Sequence, residues 1–194
     1  MMMLRPSMCA MSTSIAPKAY RLSDVMILRA SMRAMSTPRE KAYVLIGTGS
    51  SSQCKVYSRS GWNITTDIPS KVPLEPVIPQ PVELLLAGLI GCEQATAMFV
   101  ARHIPMTIHR INFNLKAVRD EKGALTLPLG TDHAMMPPSR LSSITGTAHV
   151  YTDASQQKVD LLEAEVNRRC PIANMVTLSG CELDIRWIKK NEDE

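Results

Sequence analysis

The chain has 194 residues, 45% of them hydrophobic and 21% charged, which is enough apolar matter for one packed domain with some chain to spare. Aromatic residues make up only 4% against 13 methionines, so the core is aliphatic, with methionine as adaptable filler. The net charge of +4 resides in the first forty residues, and no basic stripe with interleaved aromatics follows, which excludes a nucleic-acid surface of the usual kind.

Residues 1–40 read as a leader. Arg5, Lys18, Arg21, Arg29, Arg33 and Arg39 are spaced through a Ser-, Met- and Ala-rich stretch whose only acid before Glu40 is Asp24. That is the composition of a mitochondrial transit peptide and implies a matrix protein; an address-free tail on a cytoplasmic protein is the alternative. Ala10-Met11-Ser12-Thr13 recurs as Ala34-Met35-Ser36-Thr37, which marks Met35 as a second possible start.

Residues 41–190 read as the folded domain. Tyr43–Ile46, Gln53–Ser58 and Trp62–Asp67 are expected strands, with turns at Gly47-Thr48-Gly49-Ser50 and Ser60-Gly61. Pro69, Pro73, Pro76 and Pro79 make residues 69–80 an extended connector. Pro81 then suits the first turn of a helix running to Ala101. This helix is apolar on nearly every face, so it is expected to be buried all round and shared with a partner subunit. Glu93 and Gln94 near its middle argue against a membrane span. Gly88 and Gly91 would let other backbones approach it closely.

Ile108–Val118 alternates apolar and polar residues, as a half-buried strand does, and Asp120-Glu121-Lys122-Gly123 turns it. Leu127–Pro138 is irregular, and Ile144–Tyr151 is another strand. Asp153, with Gln156 at the reciprocal position, is expected to cap a helix whose inner stripe is Val159, Leu162 and Val166. That helix ends at Arg168-Arg169, Cys170-Pro171 opens a short helical turn through Met175, and Cys181–Trp187 closes a sheet. The order lacks a βαβ rhythm, which indicates an α+β fold with antiparallel sheets. Asn191-Glu192-Asp193-Glu194 is a solvated acidic tail.

Five cysteines, Cys9, Cys54, Cys92, Cys170 and Cys181, form no CxxC pair and have no zinc spacing with histidine, so neither a metal nor a secreted disulfide framework is expected. Cys54 and Cys181 fall on strands as core or sheet residues, and Trp62 and Trp187 are packing anchors. His103, His109, His133 and His149 lie apart, and Asp132-His133 stands in a loop. Cys170 is the notable thiol. At the N-cap of a helix opened by Pro171 it would face orphan N–H groups and the positive end of the dipole, and Arg168 and Arg169 would add to this if they point at the sulfur. Cys92, inside the apolar helix, would by itself pass for core filler.

Two segments change that. Pro81-Val82-Glu83-Leu84-Leu85-Leu86-Ala87-Gly88-Leu89-Ile90-Gly91-Cys92 resembles the opening of the central helix in OsmC/Ohr proteins. Arg169-Cys170-Pro171-Ile172-Ala173-Asn174 resembles that family's second-cysteine segment. The resemblance implies an interlocked homodimer with sheets wrapped around long central helices and sites at the subunit interface. It also implies thiol peroxidase chemistry on organic hydroperoxides, with no bound cofactor. Cys92 would be oxidised to a sulfenic acid, Cys170 would resolve it to a disulfide, and a dithiol reductant of lipoyl type would recycle the pair. Leu85, Leu89 and Met98 would wall a site for a small apolar hydroperoxide.

The chain departs from the peroxidase branch in two places. Val82 stands where that branch has Glu, with Glu83 one position later, and the first turn lacks the branch's Arg, leaving Arg59 in the next turn as the nearest substitute. These departures leave a non-catalytic module, binding an apolar ligand at the dimer interface, as the alternative reading.

Overall fold

The computed structural model describes residues 40–68, 77–130 and 136–192. Most of the leader, residues 69–76 of the connector, the Asp132-His133 pair and the last two residues of the tail lie outside the described residues. The folded unit begins at Leu45.

Two three-stranded sheets carry the β structure. The first has the order β1 (Leu45–Ser50), β2 (Gln53–Ser58), β3 (Asn63–Thr66), all antiparallel. Here the expected turn at Gly47–Ser50 is corrected. Those residues continue β1, and the chain reverses at Ser51, whose φ of 55° supplies the left-handed step, before Gln53 pairs with Ser50. Glycines signal a turn in sequence, but with β2 alongside they serve here as thin strand residues; Gly47 faces the Cys54 sulfur. The turn at Ser60-Gly61 is where the sequence put it, with Gly61 at φ 96°.

The second sheet has the order β4 (Arg110–Arg119), β5 (Leu141–Tyr151), β6 (Glu182–Lys190). β4 and β5 are antiparallel, whereas β6 lies parallel to β5. A parallel neighbour needs a crossover of a dozen residues or more. Two helices provide it, α3 (Gln156–Arg169) and α4 (Pro171–Leu178). The apolar alternation of β4 holds as expected: Ile111, Phe113, Leu115 and Ala117 turn inward, and Phe113 meets Trp187 edge to face at 5.8 Å. A single helical turn, α2 (Lys122–Leu125), follows β4.

The edge of β6 is covered by side chains of α3. Gln156 donates from Nε2 to the Trp187 carbonyl at 3.1 Å and accepts the Lys189 N–H at 2.8 Å, as a neighbouring strand would. Glu163 accepts the backbone N–H of Trp187. These contacts blunt an edge that would otherwise be open to another strand. They also explain a correction to the expected cap. Ser155, not Asp153, is the N-cap of α3, because Gln156 is engaged with β6 and Asp153 turns to His109 at 3.5 Å.

The long helix α1 (Pro81–Ala101) crosses this sheet's helical side. By length and composition it could cross a membrane, but Glu93 sits buried at its middle and the helix packs on α3 and α4. The expectation of burial all round is corrected within the single chain. Leu89, Glu93, Ala97 and Val100 are buried, whereas Leu85 is 45% exposed and Phe99 50%. Gly91 lies on the open side with nothing near it. The strands of the first sheet pack chiefly on one another, and β1 is exposed along its whole length.

Gly146, in the central strand β5, is tightly bound to its neighbours: a Cβ there would run into the backbone of Asn114 and the side chain of Leu115. Gly146→Ala should cost about 1–3 kcal/mol of stability, the usual penalty for overpacking, read as a lower urea midpoint with unchanged slope. An unchanged midpoint would contradict this register.

Candidate active site

Cys170 stands at a corner. It ends α3 and begins α4 with an extended backbone (φ −69°, ψ 113°), and Pro171 opens the new helix as expected. Its N–H donates to Val166 O at 2.8 Å, and its own carbonyl accepts the N–H of Asn174 at 3.0 Å and the Asn174 amide Nδ2 at 2.8 Å. Asn174 also donates to Asn167 O at 3.2 Å, so one side chain clamps both helices at the bend. The helical turn expected to stop at Met175 runs on to Leu178.

The sulfur of Cys170 is the N-cap acceptor, taking the Ala173 N–H at 3.5 Å. It is fully buried. Burial pushes its pKa above the usual thiol value; the Ala173 N–H opposes the rise and contact with Cys92 adds to it. The expectation of a favoured thiolate is therefore corrected: desolvation outweighs the helix terminus. The two arginines do not help, because both turn to Glu165. Arg168 reaches it at 2.7 Å and Arg169 at 2.6 Å, on the exposed side of α3.

Cys92 comes to this corner from α1. Gly88, one turn earlier, faces Ile172 of α4, and Cys92 follows on the same side, half-buried. The Cys92 thiol lies close enough to that of Cys170 to act on its ionisation, and both thiols are free. The two cysteines singled out in the sequence thus meet. Of the expected apolar wall, Leu89 lies in the core, Met98 is partly buried against it, and Leu85 is on the open face.

The remaining candidates fall elsewhere. Glu83 is three residues into α1, where its carboxylate accepts the Gln80 N–H at 2.8 Å and so caps the helix, about 13 Å along the axis from Cys92. Arg59 is exposed in the turn after β2. Among the described residues no cluster of three or more His, Cys, Asp or Glu has metal-binding geometry.

Glu93 has a place in the site that the sequence does not announce. Glu93 follows Cys92 and is completely buried, with no hydrogen-bond partner for either carboxylate oxygen; the indole N–H of Trp187 is likewise buried without one. Burial, and secondarily the charge of Glu163 across the helix interface, pushes the Glu93 pKa up to about 7. An acid at the middle of so apolar a helix, away from its capped start, is the available signal.

A profile of the OsmC-like protein family matches residues 75–186, a span that includes α1, both cysteines and most of β6. The chain belongs to the OsmC-like family. Solved structures with the same fold include an OsmC-like protein from Mycoplasma pneumoniae, with 22% identity, a TM-score of 0.63, and 78% of this chain and 99% of that one covered. An organic hydroperoxide resistance protein OsmC from Legionella pneumophila has 16% identity and a TM-score of 0.57 over 78% of this chain and 99% of its own. The organic hydroperoxide resistance protein OhrB of Bacillus subtilis has 16% identity and a TM-score of 0.53 over 77% and 98%. No curated protein sequence matches. The two segments that carry the sequence resemblance are thus α1 and the α3–α4 corner.

The buried acid gives this OsmC-like domain a pH signature. Below pH 4.5, the ordinary value, Glu93 is protonated whether the chain is folded or not, and its burial costs least. As pH rises from 4.5 to about 7, the unfolded chain ionises first and stability falls, by about 3 kcal/mol in all. Glu93→Gln should abolish that slope: little different from the parent near pH 4.5, it should melt higher at pH 8. Parallel melting curves across this range would contradict a buried acid.

Proposed function

We propose that this chain is a thiol-dependent peroxidase for organic hydroperoxides. The reading rests on one observation: two free thiols, far apart in sequence, meet where α1 packs on the α3–α4 corner. The Cys92 sulfur, as thiolate, attacks the terminal peroxide oxygen; an S–O bond forms, the O–O bond breaks, and the alkoxide takes a proton to leave as alcohol. The Cys170 sulfur then attacks the sulfenic sulfur, an S–S bond forms, and the hydroxyl leaves as water with one proton. A dithiol, lipoyl-type in the matrix location that the leader suggests, reduces the disulfide by exchange. The raised pKa of Cys170 suits a resolving thiol that stays protonated until the sulfenic acid appears. Arg59 is the cation proposed to reach the site from the first sheet, and Glu83 acts by holding the start of α1.

The working unit is proposed to be a homodimer. The first sheet exposes Ile46, Tyr57 and Trp62 and has no core of its own, and three strands in that condition are marginal. The open face of α1 exposes Leu85 and Phe99. Exposed apolar surface on both elements fits an association site, and a second copy is proposed to cover them. Phe99→Asp should shift the sedimenting species from dimer to monomer; a parent protein that sediments as monomer would refute the dimer.

With cumene hydroperoxide and dihydrolipoamide, the parent chain should consume peroxide. Cys92→Ser should reduce kcat/KM by about a thousandfold or more, and Cys170→Ser should leave a sulfenic acid on Cys92 that dimedone traps. Retained turnover in Cys92→Ser would rule out the mechanism. The second reading is a non-catalytic module that holds an apolar ligand at the dimer interface. The absence of Arg from the β1–β2 turn favours it, and it requires no peroxide loss together with a ligand-dependent rise in melting temperature.

A further inference from the structure

The interface of α1 with α3 holds two things at once: the contact between Cys92 and Cys170, and the buried carboxyl of Glu93 facing Glu163. Glu93 has no partner for either oxygen. Leucine or methionine would fill that place in an otherwise apolar helix without any polar cost. An ionised carboxylate enclosed without partner or cation costs several kcal/mol.

The groups around it do not relieve the cost. From α3 comes Glu163, itself raised by burial and by Asp160; from β6 comes Asp184, beside Glu163. The inward residues of α4, Ala173 and Val176, and of β4, Phe113 and Leu115, are uncharged. The charges that act on Glu93 and Glu163 are all negative; the guanidiniums of Arg168 and Arg169, farther along the same interface, pair with Glu165.

We infer that Glu93 is a positioning residue of the dithiol site: with its carboxyl neutral, α1 seats on α3 and the thiols of Cys92 and Cys170 meet; with its carboxyl ionised, repulsion from Glu163 and the pull of water draw α1 away and the thiols part. Packed interfaces shift between arrangements and do not stretch, so a group at the centre of the contact governs the thiol immediately beside it. The inference deepens the peroxidase reading, since it makes closure of the disulfide fall off as pH rises, although the thiol encounter itself can be measured without any peroxide. The charged and neutral forms differ most between pH 4.5 and about 7, where the seated carboxyl holds its proton and a hydrated one does not.

The test uses the full reduced chain and diamide, which takes two electrons and two protons from a pair of thiols and becomes a hydrazine while they form a disulfide. The rate of Cys92–Cys170 linkage, followed by acid quench, alkylation and peptide mapping, is compared for the parent, Glu93→Gln and Glu163→Gln from pH 5 to pH 8. Because the Glu93 carboxylate also acts directly on the neighbouring thiol, each linkage rate is first divided by the rate at which iodoacetamide alkylates Cys92 in the same variant at the same pH, and the ratio is taken of these corrected rates. The ratio of Glu93→Gln to parent should start near one, rise by about tenfold toward pH 7 and then level. Glu163→Gln removes the facing charge yet keeps an acceptor for Trp187, so its own rate should level off at a lower pH than the parent's.

A ratio that stays flat would overturn the inference. If Glu93→Gln does not fold, an unmoved profile in Glu163→Gln overturns it alone. Because diamide bypasses the peroxidase step, a chain that ignores hydroperoxide still answers this question. An active peroxidase with a flat ratio removes only the role of Glu93.

Discussion

The seating of α1 on the bend between α3 and α4 is the contact on which the rest depends. It buries the inner stripe of the central helix, it closes the core over the second sheet, and it sets Cys92 against Cys170. The bend is held by local contacts, Pro171 and the Asn174 clamp, so the placing of its sulfur does not depend on distant parts of the chain. Cys92 is placed only by tertiary packing. A site made from one locally fixed group and one docked group is sensitive to whatever loosens the docking.

Burial decides the electrostatics there. A helix N-terminus favours a thiolate, and a nearby guanidinium favours it further. At Cys170 the first is present but outweighed, and the second is spent on Glu165 at the surface. The same desolvation acts on Glu93, one residue from the other thiol, with no cation among the described residues to offset it. The apolar surroundings that would admit an alkyl peroxide thus also hold these groups in their neutral forms.

Much of this was legible in the sequence where the signal is local. Pro81 and Pro171 mark helix starts because a missing N–H costs nothing there, and the structure begins α1 and α4 at those residues. Both cysteine segments, and through them the family, were likewise visible. What depends on tertiary partners was not. Gln156 read as half of a capping box because nothing in the chain announces that it will mimic a strand against β6. The parallel pairing of β6 had a signal, a two-helix connection long enough for a crossover, that the lack of repeated βαβ units obscured. The pairing of Arg168 and Arg169 with Glu165 was readable from three- and four-residue spacing. Glu93 shows the opposite limit. Its presence was plain, yet a helix apolar on all sides does not reveal which side faces inward.

The most direct test of the account is the identity of the disulfide formed when the reduced chain meets one equivalent of organic hydroperoxide, read by peptide mapping after alkylation. A single intramolecular link between Cys92 and Cys170, with Cys54 and Cys181 still alkylated as free thiols, is the predicted result. Linkage spread among the other cysteines or between chains, or two thiols that stay reduced while peroxide persists, would contradict it.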